Sequence, residues 1–128
     1  MTKIKFYLIF LIFLVSCKDQ ENISVQDATK YLEKEDVLFL DVRTSQEFNY
    51  DGSIKNALLI PVNVLEKKIT LLEYYRDKKI IVYCRSGRRS RFATEFLKKN
   101  NFNAINLEGG FLAWEKYSSV QKLSLIHI

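Results

Sequence analysis

Residues 80–97 have the sequence IIVYCRSGRRSRFATEFL, and the two halves of this stretch predict different structures. The four apolar residues before Cys84 match the length of a buried β-strand and are rich in β-branched side chains. After the cysteine, Phe92, Ala93, Phe96 and Leu97 recur at helical spacing and predict a helix with one apolar face. Cys84 is therefore placed at a strand-to-helix turn, where backbone N–H groups and the positive end of the helix dipole favour an anion.

Positive charge is concentrated at this turn. The 128-residue chain has a net charge of +5, which falls to +3 without Lys3 and Lys5 and would be −1 without the arginines of the turn as well. Those arginines are Arg85, Arg88, Arg89 and Arg91. Such a local cluster predicts a small anionic ligand in one cleft, because a nucleic-acid backbone would need a wider basic stripe. A solvated, arginine-rich turn is the alternative interpretation.

Strand-like and helix-like segments alternate along the rest of the chain. Short apolar runs predict strands over residues 37–40, 57–60, 80–83 and 104–107. Capping residues and helical spacing predict helices from Ser24 to Leu32, from Thr44 through Phe48, over 62–75, after Ser90 and from Phe111. The alternation predicts one α/β domain, with a parallel sheet covered by helices on both faces. Ligands bind such sheets beyond the carboxyl ends of the strands, where Cys84 lies.

The N-terminus has the pattern of an export signal with a lipid attachment site. Residues 1–16 contain two lysines followed by ten apolar residues, which is typical of a signal peptide. Ten helical residues rise only about 15 Å, so a membrane-spanning helix is not expected. Leu14-Val15-Ser16-Cys17 resembles the lipobox of bacterial lipoproteins, in which the cysteine is acylated and becomes the first mature residue. A signal peptide that merely contains a cysteine is the alternative.

We therefore expect Cys17 to carry a lipid such as palmitate and residues 17–22 to form a tether. The domain over residues 23–117 would then lie outside the cytoplasm on a bacterial membrane, either periplasmic or surface-exposed. Residues 118–128 follow the natural end of this domain and have an apolar end without a partner segment. A docking strand and an added, non-native segment both fit this tail, so it is left out of the functional reasoning.

Cys84 has no histidine or second thiol to act with in the mature domain. The one histidine, His127, lies in the tail, so a Cys-His pair of the thiol-protease type is not expected. A single thiol also cannot build a usual zinc site, so we expect no metal or other cofactor. What remains is a thiolate whose pKa is lowered by a helix N-terminus, nearby arginines and converging N–H groups.

Two anion chemistries use a cysteine in such a loop, and residue spacing separates them. Cysteine-dependent phosphatases need an arginine six residues after the nucleophile, where it binds phosphate bidentately. Ser90 occupies that position here, with Arg89 one residue early and Arg91 one residue late. The spacing therefore disfavours a phosphatase, and sulfur transfer is the other chemistry.

Four motifs resemble those of single-domain rhodaneses and follow the order of that family. They are Leu40-Asp41-Val42-Arg43 with Glu47-Phe48, Gly52-Ser53-Ile54-Lys55-Asn56-Ala57 with Ile60-Pro61, the loop from Cys84 to Ser90, and Leu107-Glu108-Gly109-Gly110 with Trp114. Several motifs in order are stronger evidence than any one of them. Ser53 replaces the family's usual histidine and Asn56 its usual glycine, and both lie outside the loop.

The resemblance implies a sheet of about five strands and a sulfurtransferase that forms a persulfide on Cys84. Thiosulfate or a persulfide would donate the sulfur, and a thiol, cyanide or a protein would accept it, with the enzyme acting as a monomer. The substrate-binding residues would be Arg85, Ser86, Gly87, Arg88, Arg89 and Ser90. A phosphatase or arsenate-reductase-like enzyme on the same fold and a non-catalytic module that binds an anion or a partner are the alternatives.

Structural roles are predicted for several other residues. We expect Asp41 and Arg43 to pair with each other at a strand end, because charges near buried strand ends are usually paired. Glu47 and Ser90 are expected to cap helices. Core packing is predicted for Tyr83, Phe111 and Trp114.

Overall fold

Five parallel strands form the sheet. The computed structural model describes residues 21–126. The strands are β1 (Asn22–Ile23), β2 (Val37–Asp41), β3 (Leu58–Leu59), β4 (Lys79–Tyr83) and β5 (Asn103–Leu107), and their order across the sheet is β1-β5-β4-β2-β3. β2, β4 and β5 each contain four consecutive buried residues, as expected for strands covered on both faces. The predicted α/β fold is therefore confirmed.

Helices cover both faces of the sheet, and the sheet separates two apolar cores. The α-helices are α1 (Val25–Ala28), α2 (Ser45–Asp51), α3 (Arg88–Lys99) and α4 (Gly110–Ile126), and the 3-10 helices span Thr29–Tyr31, Val62–Val64 and Ile69–Tyr75. On one face, Ala93 of α3 packs in a core with Leu72. On the other face, Ala28 of α1 packs in a core with Trp114 of α4.

The single α-helix predicted over residues 62–75 is wrong. Two 3-10 helices occupy the segment and are separated by turns, although Leu65 and Leu72 are buried as the apolar spacing predicts. Lys68, at the start of the second 3-10 helix, has φ −109° and ψ 12°, which is outside the α-helical region. β-Branched side chains are frequent here and lose rotamer freedom in an α-helix, which favours the shorter elements.

The apolar face of α3 is narrower than predicted. Ala93 and Leu97 are fully buried, but Phe92 is 69% exposed and does not belong to the core. The buried face also includes two polar residues, Ser90 and Thr94. The Thr94 hydroxyl donates a hydrogen bond to the Ser90 carbonyl, at 2.7 Å, which allows a polar side chain to be buried there.

Local sequence signals mark several helix ends correctly. Ser24 accepts a hydrogen bond from the Asp27 amide, and Thr44 and Glu47 form the predicted capping box at the start of α2. Asn101 has φ 66°, which is the left-handed conformation expected after α3. β3 is shorter than the predicted strand over residues 57–60, and α4 continues to Ile126 through most of the tail.

The predicted lipobox with Cys17 and the tail residue His127 lie outside the described residues. Among residues 21–126, no helix has both the length and the apolar character needed to cross a membrane.

Candidate active site

Cys84 lies directly after β4, at the carboxyl end of the sheet, and is only 1% exposed. Three residues connect it to α3, and the last of them, Gly87, is the N-cap residue of that helix. Gly87 has φ 108°, a conformation that residues with a Cβ rarely adopt. Glycine at this position therefore lets the chain turn tightly around the cysteine sulfur.

Hydrogen-bond donors converge on the sulfur of Cys84. The Gly87 N–H donates to Sγ at 3.1 Å, and the Ser90 hydroxyl donates at 3.3 Å. Burial by itself raises the pKa of the Cys84 thiol, but the hydrogen bonds from Ser90, Gly87 and the Ser86 N–H outweigh burial. The pKa of Cys84 therefore lies below its ordinary value, and the thiolate is favoured.

The start of α4 holds the backbone of the loop in this orientation. The Phe111 N–H donates to the Cys84 carbonyl at 2.8 Å, and the Leu112 N–H donates to the Arg85 carbonyl at 3.1 Å. A Cβ on Gly110 would lie 2.6 Å from both carbonyl oxygens, a distance that real side chains do not reach. Only glycine permits this contact, which turns the loop carbonyls toward α4 and away from the sulfur.

Ser90 is not the helix cap that the sequence predicts. Gly87 occupies the cap position, and Ser90 lies within the first turn of α3 with its side chain fully buried. Its hydroxyl donates to the Cys84 sulfur, whereas a capping serine would accept from a free backbone N–H of the helix. The serine that separates this loop from the phosphatase pattern thus contacts the Cys84 sulfur directly.

The arginines of the loop differ in their environment. Arg85, Arg88 and Arg91 are exposed, and none of them makes an ion pair with another residue of the described part of the chain. Arg89, in contrast, donates two hydrogen bonds to the carboxylate of Glu47, at 2.9 and 2.8 Å. Three of the four arginine side chains are therefore free to meet a ligand in this structure, whereas Arg89 is already paired.

The Glu47–Arg89 pair joins α2 to the loop and is electrostatically strong. The hydrogen bonds from Arg89 lower the pKa of Glu47 to about 2, with further help from Thr44, although partial burial opposes this shift. The same pair raises the pKa of Arg89, and the charge of Cys84 acts in the same direction. Glu47 thus caps α2, as predicted, and also holds an arginine next to Cys84.

A second ion pair, Asp41–Arg43, lies at the end of β2 and is completely buried. The Arg43 Nη2 group donates to Asp41 at 2.7 Å and to the Gly52 carbonyl at 2.6 Å, and the guanidinium lies 4.3 Å from the Phe111 ring centroid. Burial lowers the pKa of Arg43, but the hydrogen bond and charge of Asp41 outweigh it, so the pKa is raised overall. The predicted structural pairing is present.

A cleft of about 460 Å³ adjoins the loop on the β5 side. Arg88 and Arg91 of α3 line it together with Asn106 and Glu108 from the end of β5. Gly87 also lines the cleft, so one residue separates the cleft from the cysteine sulfur. No group of three or more His, Cys, Asp or Glu side chains suited to a metal ion occurs among residues 21–126.

The model of the Rhodanese-like domain family matches residues 24–117, which is most of the chain. The chain belongs to the rhodanese-like family. The resemblance inferred from the four motifs is thereby confirmed, and the fold supports the same conclusion. Ser53 and Asn56, which depart from the usual rhodanese pattern, are both exposed and lie between α2 and β3. Asn56 has φ 62°, a conformation in which glycine is favoured.

Solved structures and curated proteins include several that are similar to this chain. A rhodanese-related protein from Thermoplasma volcanium is 36% identical, with a TM-score of 0.69, over 76% of this chain and 92% of that one. A Rhodopseudomonas palustris protein described as a possible tyrosine phosphatase is 28% identical, with a TM-score of 0.69, over 77% and 81%. The tRNA uridine(34) hydroxylase of Escherichia coli is 32% identical over 108 residues, which is 80% of this chain and 31% of the relative. The chain thus spans about a third of the length of its curated relatives.

Three contributions to this rhodanese-like site could not be read from the sequence pattern. Gly109 and Gly110 predict a turn, but not the contact of Gly110 with the loop carbonyls. The position of Glu47 predicts a helix-capping role, but not its ion pair with Arg89, which is 42 residues away in the chain. Asn106 lies in a strand, and only the position of β5 beside α3 brings it to the cleft.

Proposed function

We propose that the protein is a sulfurtransferase that carries sulfane sulfur as a persulfide on Cys84. The observation that supports this best is the environment of Sγ, where two direct donors stabilise a thiolate and no general base is required. Because Cys84 is 1% exposed, a small donor that presents its terminal sulfur fits the loop better than a bulky substrate. Arg85 and Arg88, both exposed, attract an anionic donor such as thiosulfate.

The reaction is a double displacement. The Cys84 thiolate attacks the outer sulfur of thiosulfate, the sulfur–sulfur bond of the donor breaks, and sulfite leaves with the electron pair. Cys84 then holds a persulfide, whose terminal sulfur is anionic and accepts hydrogen bonds from the N–H groups of the loop. In the second step an acceptor, such as a thiol or cyanide, attacks that terminal sulfur and releases the Cys84 thiolate.

A phosphatase or arsenate-reductase-like activity is the alternative on the same fold, and the Rhodopseudomonas palustris neighbour carries a description of that kind. The position where a phosphatase needs arginine holds Ser90, which is fully buried and donates to the nucleophile. Arg89, one residue earlier, is paired with Glu47. Neither side chain is available to bind phosphate bidentately, which favours sulfur transfer.

Intact-mass measurement tests the proposal directly. The purified domain is incubated with thiosulfate, and we expect the mass of one added sulfur atom, release of an equal amount of sulfite, and loss of the added sulfur on treatment with cyanide. The Cys84→Ser variant is the control and should gain no sulfur. Hydrolysis of p-nitrophenyl phosphate without a sulfur adduct from any sulfane donor would establish the phosphatase instead. Inertness in both assays would favour a non-catalytic module that binds an anion or a partner.

Membrane anchoring through Cys17 is the second part of the proposal, and the sequence pattern of residues 1–17 supports it. Expression of the full chain in a bacterium with a lipoprotein pathway should place the protein in the membrane fraction. Cys17→Ser should either block processing of the leader or release soluble protein. Unchanged membrane partition of this variant would contradict a lipid anchor.

A further inference from the structure

The surface of α3 that faces away from the sheet carries a concentration of positive charge beyond the cysteine loop. Its exposed basic side chains there are Arg91, Lys98 and Lys99, and Glu95 is the one exposed acidic side chain of the helix. We refer to these residues and Phe92 as the outer face of α3. None of the three basic residues forms an ion pair within residues 21–126. Unpaired charges of one sign create a field that attracts a partner of the opposite charge.

An exposed aromatic side chain lies among these charges. Phe92 is 69% exposed, whereas the next residue, Ala93, is fully buried. Arg88 and Glu95, four residues before Phe92 and three residues after it, are its neighbours on the helix surface. An aromatic ring between charged side chains suits the interface of a membrane, where the ring enters the headgroup region and basic groups contact lipid phosphates.

The other face of the sheet has the opposite balance of charge. The core that contains Ala28 of α1 lies on the face opposite the core that contains Ala93 of α3. The exposed charged side chains of α1 and of the residues between it and β2 are four acidic ones, Asp27, Glu33, Glu35 and Asp36, and two basic ones, Lys30 and Lys34. Beside a negatively charged surface, the domain therefore favours the orientation in which α3 faces that surface.

The chain enters the domain beside the outer face of α3. Glu21 and Asn22 line a small cavity of about 70 Å³ together with Arg91 and Lys98. Asn22 is five positions after Cys17 in the sequence, and five residues of extended chain span at most about 18 Å. A lipid on Cys17 would therefore hold Asn22 within that distance of the membrane and bring the adjacent face of α3 close to the lipid headgroups.

We propose that the outer face of α3 binds the anionic phospholipid surface to which Cys17 anchors the protein. This inference rests on the anchoring part of the proposed function and adds an orientation to it. Arg91, Lys98 and Lys99 contact lipid phosphates, and Phe92 enters the headgroup region. Arg88 and the cysteine loop lie at the N-terminal end of this face and are left to the sulfur donor.

The orientation of the protein on a vesicle tests this assignment. A protein of residues 17–128 contains both cores and the whole family domain, and in its Cys84→Ser variant Cys17 is the only thiol. Coupling of that thiol to a maleimide phospholipid anchors the protein to vesicles of phosphatidylcholine and phosphatidylglycerol. Nitroxide-labelled lipids then quench any tryptophan close to the membrane. Phe92→Trp reports on α3, Gln26→Trp is the control at an exposed position of α1, and the signal of Trp114 is subtracted.

We expect the tryptophan of Phe92→Trp to be quenched several-fold more strongly than that of Gln26→Trp. The difference should disappear on vesicles of phosphatidylcholine alone and in high salt. Arg91→Gln combined with Lys98→Gln should weaken the oriented state roughly 25-fold, because each basic side chain at an anionic surface contributes about fivefold. Lys116→Gln combined with Lys122→Gln removes the same charge from exposed positions of α4, on the other face, and should leave the difference unchanged.

Equal quenching at the two positions would overturn the proposal, and this is also the result expected if the basic face binds an acidic protein instead of lipid. A difference that persists without phosphatidylglycerol, or in Arg91→Gln combined with Lys98→Gln, would overturn it as well. Because the coupling supplies the anchor, the vesicle result does not depend on acylation in cells. Acylation of Cys17 is measured separately, by the mass of the full chain extracted from membranes, and its absence would defeat the anchor without altering the vesicle result.

Discussion

Two ion pairs lie near the carboxyl ends of the strands, and they differ in how far their side chains are exposed to solvent. Asp41–Arg43 is fully buried, and its arginine also binds a backbone carbonyl and stacks on an aromatic ring. In Glu47–Arg89 the arginine side chain is 36% exposed and the glutamate 21%. The buried pair fixes the scaffold beneath the site. The half-buried pair holds Arg89, whose positive charge interacts with Cys84.

The largest loss of stability is expected from breaking the buried Asp41–Arg43 pair. Arg43→Met leaves the Asp41 carboxylate buried without its partner, which should lower the free energy of unfolding by about 3–5 kcal/mol. Urea denaturation at neutral pH measures this loss. The double variant Asp41→Asn with Arg43→Met removes both charges and should recover part of the stability. A single variant as stable as the wild type would show that the pair does not hold the scaffold.

The second expected effect is on the reactivity of Cys84 more than on the stability of the fold. Ser90→Ala removes the hydroxyl that donates to Sγ, so the pKa of Cys84 should rise and its reactivity at neutral pH should fall several-fold. The rate of alkylation by iodoacetamide as a function of pH measures this shift. Ser86→Ala is the matched control, because only the backbone N–H of Ser86 acts on the sulfur. Equal alkylation profiles for the two variants would refute the role of the Ser90 hydroxyl.

The sequence predicts those features of the fold and of the site that depend on local pattern. Local pattern contains the individual strand and helix segments, the position of Cys84 after β4, the capping box of α2 and the Asp41–Arg43 pair. Each of these involves residues that are adjacent or a few positions apart. Periodicity and side-chain capping chemistry are local, so short stretches contain the information. The family motifs add the order of these features along the chain.

Other features require the tertiary structure. Glu47 reaches Arg89 only because β2 pairs with β4, which places α2 beside the cysteine loop. The direction of the Ser90 side chain depends on where α3 begins, and Gly87 rather than Ser90 takes the cap position. The segment of residues 62–75 has helical apolar spacing but forms 3-10 helices, in which Leu65 and Leu72 are still buried.

The smallest effect on stability is expected from breaking the half-buried Glu47–Arg89 pair. Glu47→Gln should cost about 1 kcal/mol at neutral pH, since partial exposure screens the interaction. The pKa of Glu47 is about 2 in the folded protein and lies below the ordinary value of 4.5, so the carboxylate stabilises the fold at pH values above 4.5. This contribution is lost as the pH falls through about 2. The stability difference between wild type and variant, measured by urea denaturation, should therefore shrink from pH 5 to pH 2. Glu66→Gln, at an exposed glutamate outside the described ion pairs, should show no such dependence.

The same variant decides whether the half-buried pair influences the reactivity of Cys84. Without the Glu47 carboxylate, the positive charge of Arg89 is no longer neutralised beside Cys84, and the pKa of the thiol should fall. Glu47→Gln and Ser90→Ala should therefore shift the alkylation profile in opposite directions. A merely structural role for Glu47 would lower stability and leave that profile unchanged. An upward shift in Glu47→Gln would show that the pair holds Arg89 where it stabilises the thiolate, because the arginine would then have moved away once released.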